Sequence, residues 1–418
     1  MKTKSIVLSM SVSVCFLIMT LMFTTAAAAN KKPIVIGHIN IMSGAMSVYG
    51  LSSDAAAKIA VDEINADGGV LGRPLKLITR DSKLSPETGL REAKDLVLSQ
   101  DAKFITGVLS SGVALSVAEY ARQAKIPFIA SIAMSTKLIT KKANRYFFRF
   151  DVDTKADFGG PIIDEWFRRW PNAKKVITIG FDYEGPRSCI KWATNKFLRH
   201  PGTKVVNQLW PPTRTSDYAP YVAKIMSTDA DGLIMSMWAG GEIAFLKQAI
   251  PAGLYEKFHV LAPHDGDTET WYNMRKGDIY PKGSIGCARY PYWLFNDERN
   301  KRFVREHEKR CGIPAPSYGA ANEYAIIYAL KAALEKAGSV NVEKAIDALE
   351  GMKCDTLVGE VMMRACDHQA IMPIYVGEMG FGDGLPYPHI TNGKWYRGEK
   401  ACGYLTCEQV KELREKGE

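Results

Sequence analysis

AVDEINADGGVLGRPLKLI, residues 60–78, is the stretch whose reading decides the fold. An amphipathic helix runs into Asp67-Gly68-Gly69, a second turn follows at Gly72-Arg73-Pro74, and a short apolar strand begins at Leu75. Glycine takes the positive φ that a helix stop and a tight reversal demand, and Pro74 ends the turn before the strand. Working outward, strands are expected at Ile34–Asn40, Leu75–Arg80, Phe104–Leu109 and Pro127–Ala130, separated by helices at Ala55–Ala66, Glu87–Ser99 and Val113–Ala124. That alternation implies a parallel sheet covered by helices. YFFRF at 146–150 begins a crossing into a second set, with strands at Val176–Phe181, Val205–Leu209, Leu233–Met237 and His259–Leu261. Helices near Phe158–Trp170, Arg187–Leu198, Tyr218–Ser227 and Glu242–Ile250 separate these strands, and from Asn296 the pattern turns helical, at Asp297–Arg310, Tyr318–Ala337 and Val342–Leu349. The fold class is α/β, two doubly wound units in succession.

At 418 residues the chain is too long for one compact core, which agrees with two lobes. Its net charge of +9 is spread over interspersed acids and bases, with no Lys/Arg tract of the kind that grips nucleic acid. Lys2, Lys4, the apolar run Ile6–Phe23 and the small residues of TTAAAAN read as an export leader over residues 1–29, cleaved near Ala29. An apolar run of that length would also suit an anchor; the Ala-x-Ala before polar Asn30 favours cleavage. Cys15, inside that run after bulky Val14, does not suit lipid attachment.

Export places seven further cysteines in an oxidising compartment, an odd number that leaves at least one unpaired or paired elsewhere. Spacing suggests Cys402 with Cys407, Cys354 with Cys366 across an apparent hairpin, and Cys287 with Cys311, leaving Cys189 single. No CxxC pair or nearby histidine suggests zinc, and no cofactor motif is present.

Several separated stretches carry a family resemblance. IVIGHIN with Ser43-Gly44 leads into residues 60–78, and SYGAANEYAIIYALKAALEKAG at 317–338 lies near Phe303 and Pro314. Together they resemble the extracytoplasmic amino-acid-binding proteins of ABC importers, the Leu/Ile/Val-binding type of the type I periplasmic binding proteins, over about residues 34–380. The resemblance implies two lobes joined by a three-strand hinge, with lobe 1 from 30–152 and 287–352, lobe 2 from 153–286 and 353–395, and a tail at 396–418. It also implies a periplasmic monomer that closes on a small-molecule ligand, an amino acid or other carboxylate, and meets an ABC permease in the inner membrane. A ligand-sensing subunit reporting to a membrane receptor would have the same two lobes.

Ligands of open α/β sheets bind beyond the carboxyl ends of the strands. After Phe104–Leu109 comes Ser110-Ser111-Gly112, two hydroxyls and helix N-terminal N–H groups suited to a carboxylate, although serine there also simply caps helices. After IPFIA comes Ser131-Ile132-Ala133-Met134-Ser135, where the resemblance implies a further N–H, at Ala133, and a hydroxyl. Met134 stands where many relatives have threonine, so Ser131 is the expected replacement, with Ser135 as the alternative. In the second unit Tyr183 follows one strand and Trp238 another; each suits a pocket wall, and equally a surface turn or a packed core. The resemblance implies an acidic partner for an ammonium in His264-Asp265-Gly266-Asp267, with Asp265 preferred and Asp267 second; a solvated turn is the alternative. That segment lacks a fourth ligand for a metal. Tyr49 is a further pocket candidate, and Asp367-His368-Gln369 reads as structural in the last crossover. No Gly-x-Ser-x-Gly elbow, phosphate loop or His-Glu-x-x-His is present, and a binding protein rather than an enzyme is expected.

Overall fold

The joint at residues 60–78 sets the geometry of the first lobe. In the computed structural model, which describes residues 32–417, Asn65 holds the end of its helix against the next strand: its amide donates to the Leu75 carbonyl at 2.9 Å and accepts from the Leu75 N–H at 2.7 Å. Gly69 turns there with φ 77°, and a side-chain carbon would fall 2.1 Å from the Arg73 carbonyl oxygen, so only glycine fits. The leader expected over residues 1–29, its cleavage point and Cys15 lie outside the described residues.

The first lobe is built on β1 (Ile34–Asn40), β2 (Leu75–Asp81), β3 (Phe104–Gly107), β4 (Phe128–Ala130) and β5 (Phe147–Arg149), all parallel in the order β2-β1-β3-β4-β5. Helices α1 (Ser47–Ala66), α2 (Pro86–Leu98) and α3 (Ser111–Ala124) connect them. Strands β1, β3, β4 and β5 are buried because helices cover both faces, and the edge strand β2 is half-buried. In the second lobe, α4 (Thr154–Gly159) and α5 (Pro161–Arg169) lead into β6 (Lys175–Gly180), α6 (Glu184–Phe197), β7 (Lys204–Leu209), α7 (Ala219–Met226), β8 (Gly232–Ser236), α8 (Ala239–Ala249), β9 (His259–Leu261) and β10 (Ile285–Ala288). Their order, β7-β6-β8-β9-β10, repeats that of the first lobe. Each sheet therefore reverses its winding once, between β1 and β3 and between β6 and β8, and such a reversal opens a crevice at the strand carboxyl ends.

Helices α9 (Glu298–Cys311), α10 (Tyr318–Ala337) and α11 (Val342–Leu349) return to the first lobe, where α10 packs along α1. The hairpin of β11 (Lys353–Thr356) and β12 (Gly359–Met362) also packs on α10. The chain then crosses again, and β13 (Ile374–Gly380) and β14 (His389–Tyr396) extend the second sheet antiparallel beside β10. Dividing the chain by sheet and packing, we propose crossings after Arg149, after Ala288 and near 364–373. The tail adds a further passage: α12 (Cys407–Lys416) comes back to the first lobe, burying Leu405 and Val410 in its core.

That return explains why the cysteine pairings expected from spacing fail. The disulfide joins Cys366 to Cys407, while Cys189, Cys287, Cys311, Cys354 and Cys402 are free. Cys354 sits opposite Val361 within the hairpin, so Cys366 lies beyond its reach. Cys402 is buried with its thiol toward the Tyr396 carbonyl, and Cys287 and Cys311 belong to β10 and α9, which lie in different lobes. Asp367-His368-Gln369 is built into the crossover. Its His368 ring stacks on Phe148 at 4.0 Å, and Gln369 accepts from the buried Arg149 Nε at 2.6 Å.

Candidate functional site

The switch points supply the walls of a small cavity between the lobes. Tyr49 comes from the first turn of α1 and Ser111 opens α3. From the second lobe, Tyr183 precedes α6 and Trp238 precedes α8. Tyr318, the first residue of α10, completes the ring. Five helices thus turn their N-terminal ends toward one space, where unpaired N–H groups and the positive ends of their dipoles favour an anion. Leu109, Ile132, Met134 and Cys189 add apolar surface to the wall.

The lobes are closed on each other. A side-chain carbon at Gly185 would lie 3.4 Å from Ser111 Oγ, and one at Gly240 would lie 3.3 Å from Ala45 Cβ. Ser135 N–H donates to Ser111 Oγ at 3.2 Å, and Ser135 Oγ donates across the cleft to Glu184 at 2.8 Å. Lys137 holds the other Glu184 oxygen at 2.7 Å, while Tyr49 and Thr270 share a hydrogen bond at 3.3 Å.

Of the residues expected from sequence, Tyr49, Ser111, Tyr183 and Trp238 line this cavity. Ser110, Gly112, Ser131, Ala133 and Asp265 do not. Ser110 caps α3 by backbone position, and the N–H groups of Ser131 and Ala133 are occupied by the carbonyls of Gly107 and Val108. In their loop Ile132 and Met134 face the cavity instead. Ser131 Oγ is buried with no partner among the described residues. Beyond β9, Pro263–Gly266 is a 3₁₀ turn, which places residues three apart on one face. His264 and Asp267 therefore reach the cavity together while Asp265 turns away, against Ser284 Oγ and close to Glu242. Burial pushes the Asp265 carboxyl up to about 6, and burial followed by the nearby Asp265 charge pushes Glu242 well above its ordinary range.

Sequence reasoning missed Arg289, at the end of β10. It is fully enclosed, and its guanidinium lies 3.3 Å from the centre of the Tyr318 ring. It donates to Asp267 Oδ2 at 2.7 Å and His264 Nδ1 at 3.2 Å, and reaches Asp151 at 3.4 Å. A basic residue ending an apolar strand, Ile285–Ala288, was the available signal. Burial opposes its charge, but the Asp267 carboxylate and its acidic neighbours outweigh that and hold it protonated. The second-lobe wall is aromatic. Trp238 meets Phe181, His264 and Tyr183 edge to face, with ring centres 5.4, 4.7 and 5.9 Å away. Among the described residues no group of His, Cys, Asp and Glu is arranged to hold a metal, and no helix is long and apolar enough to cross a membrane.

Two like-wound lobes closed over an interlobe cavity match a known family, whose profile, described as periplasmic binding protein, covers residues 33–384. The chain belongs to that family. The "Leu/Ile/Val-binding protein homolog 4" of Brucella melitensis is 25% identical over 373 residues, covering 85% of this chain and 86% of that protein. Among solved structures, an ABC-transporter solute-binding protein of Rhodopseudomonas palustris in complex with 3,4-dihydroxybenzoic acid superposes with a TM-score of 0.76 at 23% identity, covering 88% of this chain and 98% of the other. The closed leucine-, isoleucine-, valine-, threonine- and alanine-binding protein of Brucella ovis gives 0.74 at 22% identity, covering 89% and 97%. This chain is thus a periplasmic binding protein with the type I α/β fold of the ABC-transporter solute-binding proteins it superposes on.

Proposed function

We propose that this binding protein captures a small carboxylate with an apolar or aromatic body, closes on it by hinge motion, and presents it to an ABC permease. Ser111 and the first turn of α3 take the carboxylate, while Tyr49, Tyr183 and Trp238 enclose the body of the ligand. The observation that carries this reading is the convergence of five helix N-termini on one cavity with apolar and aromatic walls. Branched-chain amino acids are one ligand class, in keeping with the names of the sequence relatives. Aromatic carboxylates are the second, favoured by the Asp267 carboxylate already being paired with Arg289. The protein would act as an exported periplasmic monomer, its leader cleaved near Ala29.

Calorimetric titration with leucine, isoleucine, valine, their amides and aromatic acids tests the reading. Heat of binding from at least one carboxylate, lost in its amide counterpart, is expected. Silence from every carboxylate removes the assignment and leaves the fold intact.

A further inference from the structure

The wall opposite Ser111 carries two buried polar atoms with no partner among the described residues: His264 Nε2 and Asp267 Oδ1. Both side chains line the cavity and are 3% exposed. Their chemistry is set by Arg289. A guanidinium N–H can only donate, so His264 Nδ1 must accept it, and the ring proton of His264 resides on Nε2. The same guanidinium nitrogen holds Asp267 Oδ2 at 2.7 Å, leaving Oδ1 as an acceptor in a locally neutral pair. Arg289 also sits over the Tyr318 ring, so one buried cation contacts three of the residues that line the cavity, drawn from both lobes.

We infer that Arg289 is a positioning residue for specificity, and that the subsite it builds selects a carboxylate whose far end carries a neutral group able both to accept and to donate a hydrogen bond, a hydroxyl or a primary amide. This rests on the proposed reading that the cavity holds a carboxylate at Ser111. A hydroxyl accepts from His264 Nε2–H and donates to Asp267 Oδ1, satisfying both orphan atoms. An ammonium can only donate, so it leaves the His264 N–H unmet and sits near the Arg289 charge. A second carboxylate can only accept and meets Asp267. A bare hydrocarbon end leaves both atoms unpaired, which is the penalty that lets a polar site reject an analogue.

The test is calorimetry on the intact exported chain with benzoate, 4-hydroxybenzoate, 4-carbamoylbenzoate, 4-(aminomethyl)benzoate and leucine. The hydroxyl and amide probes should bind about tenfold or more tighter than benzoate, and the ammonium probe weaker than either. In Arg289→Lys, which keeps the charge and loses the planar fork, that ratio should fall to about threefold or less. Because Arg289→Lys could fail to fold, His264→Phe, which keeps a ring and removes the N–H, should collapse the same ratio. A purely structural role for Arg289 would weaken all probes together and leave the ratio intact. The inference is overturned by tightest binding of leucine or the ammonium probe, or by a hydroxyl preference that survives His264→Phe. If no carboxylate binds the folded protein, the reading of the cavity falls and the inference falls with it, an outcome distinct from altered selectivity.

Discussion

The two lobes wind their strands in the same order yet present opposite kinds of wall to the cavity. On the first lobe the polar groups near the cleft are largely spoken for: the Ser131 and Ala133 N–H groups bond to β3 and its following turn, and Ser111 Oγ accepts from Ser135. On the second lobe the wall is a cluster of rings backed by buried ionisable groups, several with an atom that has no partner among the described residues. The first wall is preformed and offers a helix terminus, which suits any small carboxylate. The second is held in an unsatisfied state, and that state is where discrimination between ligands can arise.

Breaking the second wall should have the largest effect. Trp238 is buried against three rings, and Trp238→Ala should cost about 3–5 kcal/mol of stability by thermal or denaturant unfolding, with ligand affinity falling alongside. Trp238→Phe, which keeps most of the apolar body, should recover much of the stability. On the first wall, Ser111→Ala should weaken carboxylate binding by about tenfold, while the unliganded protein loses only about 1 kcal/mol. An affinity loss below about twofold would reduce Ser111 to a helix-cap neighbour and erase the contrast between the lobes.

The acids behind the second wall sharpen the comparison through pH. Glu242 and Asp265 are buried side by side, with Asp267, Tyr255 and Ser284 around them, and both carboxyls sit above their ordinary range, chiefly from burial. The unfolded chain releases these protons at lower pH than the folded one, so stability declines as pH rises from the unfolded carboxylate range through about 6 and above. Glu242→Gln removes the proton release and lets the amide donate to Asp265. Its melting temperature should therefore gain on that of the parent as pH goes from 5 to 8. A constant difference across that range would mean that the pair does not share this burden.

The strand–helix alternation was legible because glycine, proline and apolar spacing are local signals, and the residues 60–78 joint folds much as its turns require. Tyr49, Ser111, Tyr183 and Trp238 were legible for a related reason: each follows a strand next to a winding reversal. Asp265 was a less direct case, because whether a side chain faces a cleft beyond β9 depends on a 3₁₀ turn, and its three-residue period exposes His264 and Asp267 instead. Ser131 and Ala133 missed the cavity because their N–H groups bond back to the Gly107 and Val108 carbonyls, while Ile132 and Met134 line it. The Cys366–Cys407 bond and Arg289 depend on parts of the chain that meet only in the folded protein, and no local spacing encodes them.

The smallest expected effect lies at the seam where the two walls meet. Glu184, at the start of α6, joins the lobes by accepting from Ser135 and pairing with Lys137, and Ser135 in turn reaches Ser111. The two Glu184 contacts cross the cleft, so they favour the closed form without touching a ligand. Lys137 is about half exposed, which limits such an ion pair to a fraction of a kcal/mol up to about 1. A shift of that size in the open–closed equilibrium should weaken apparent affinity about two- to fourfold in Glu184→Ala, since only the closed fraction holds ligand tightly. The parent should lose part of this advantage at high salt, where an exposed pair is screened, and the variant should not. If instead the variant weakens by tenfold or more and salt does nothing, Glu184 belongs to the ligand wall, and the division between a preformed face and a discriminating face must be redrawn around α6.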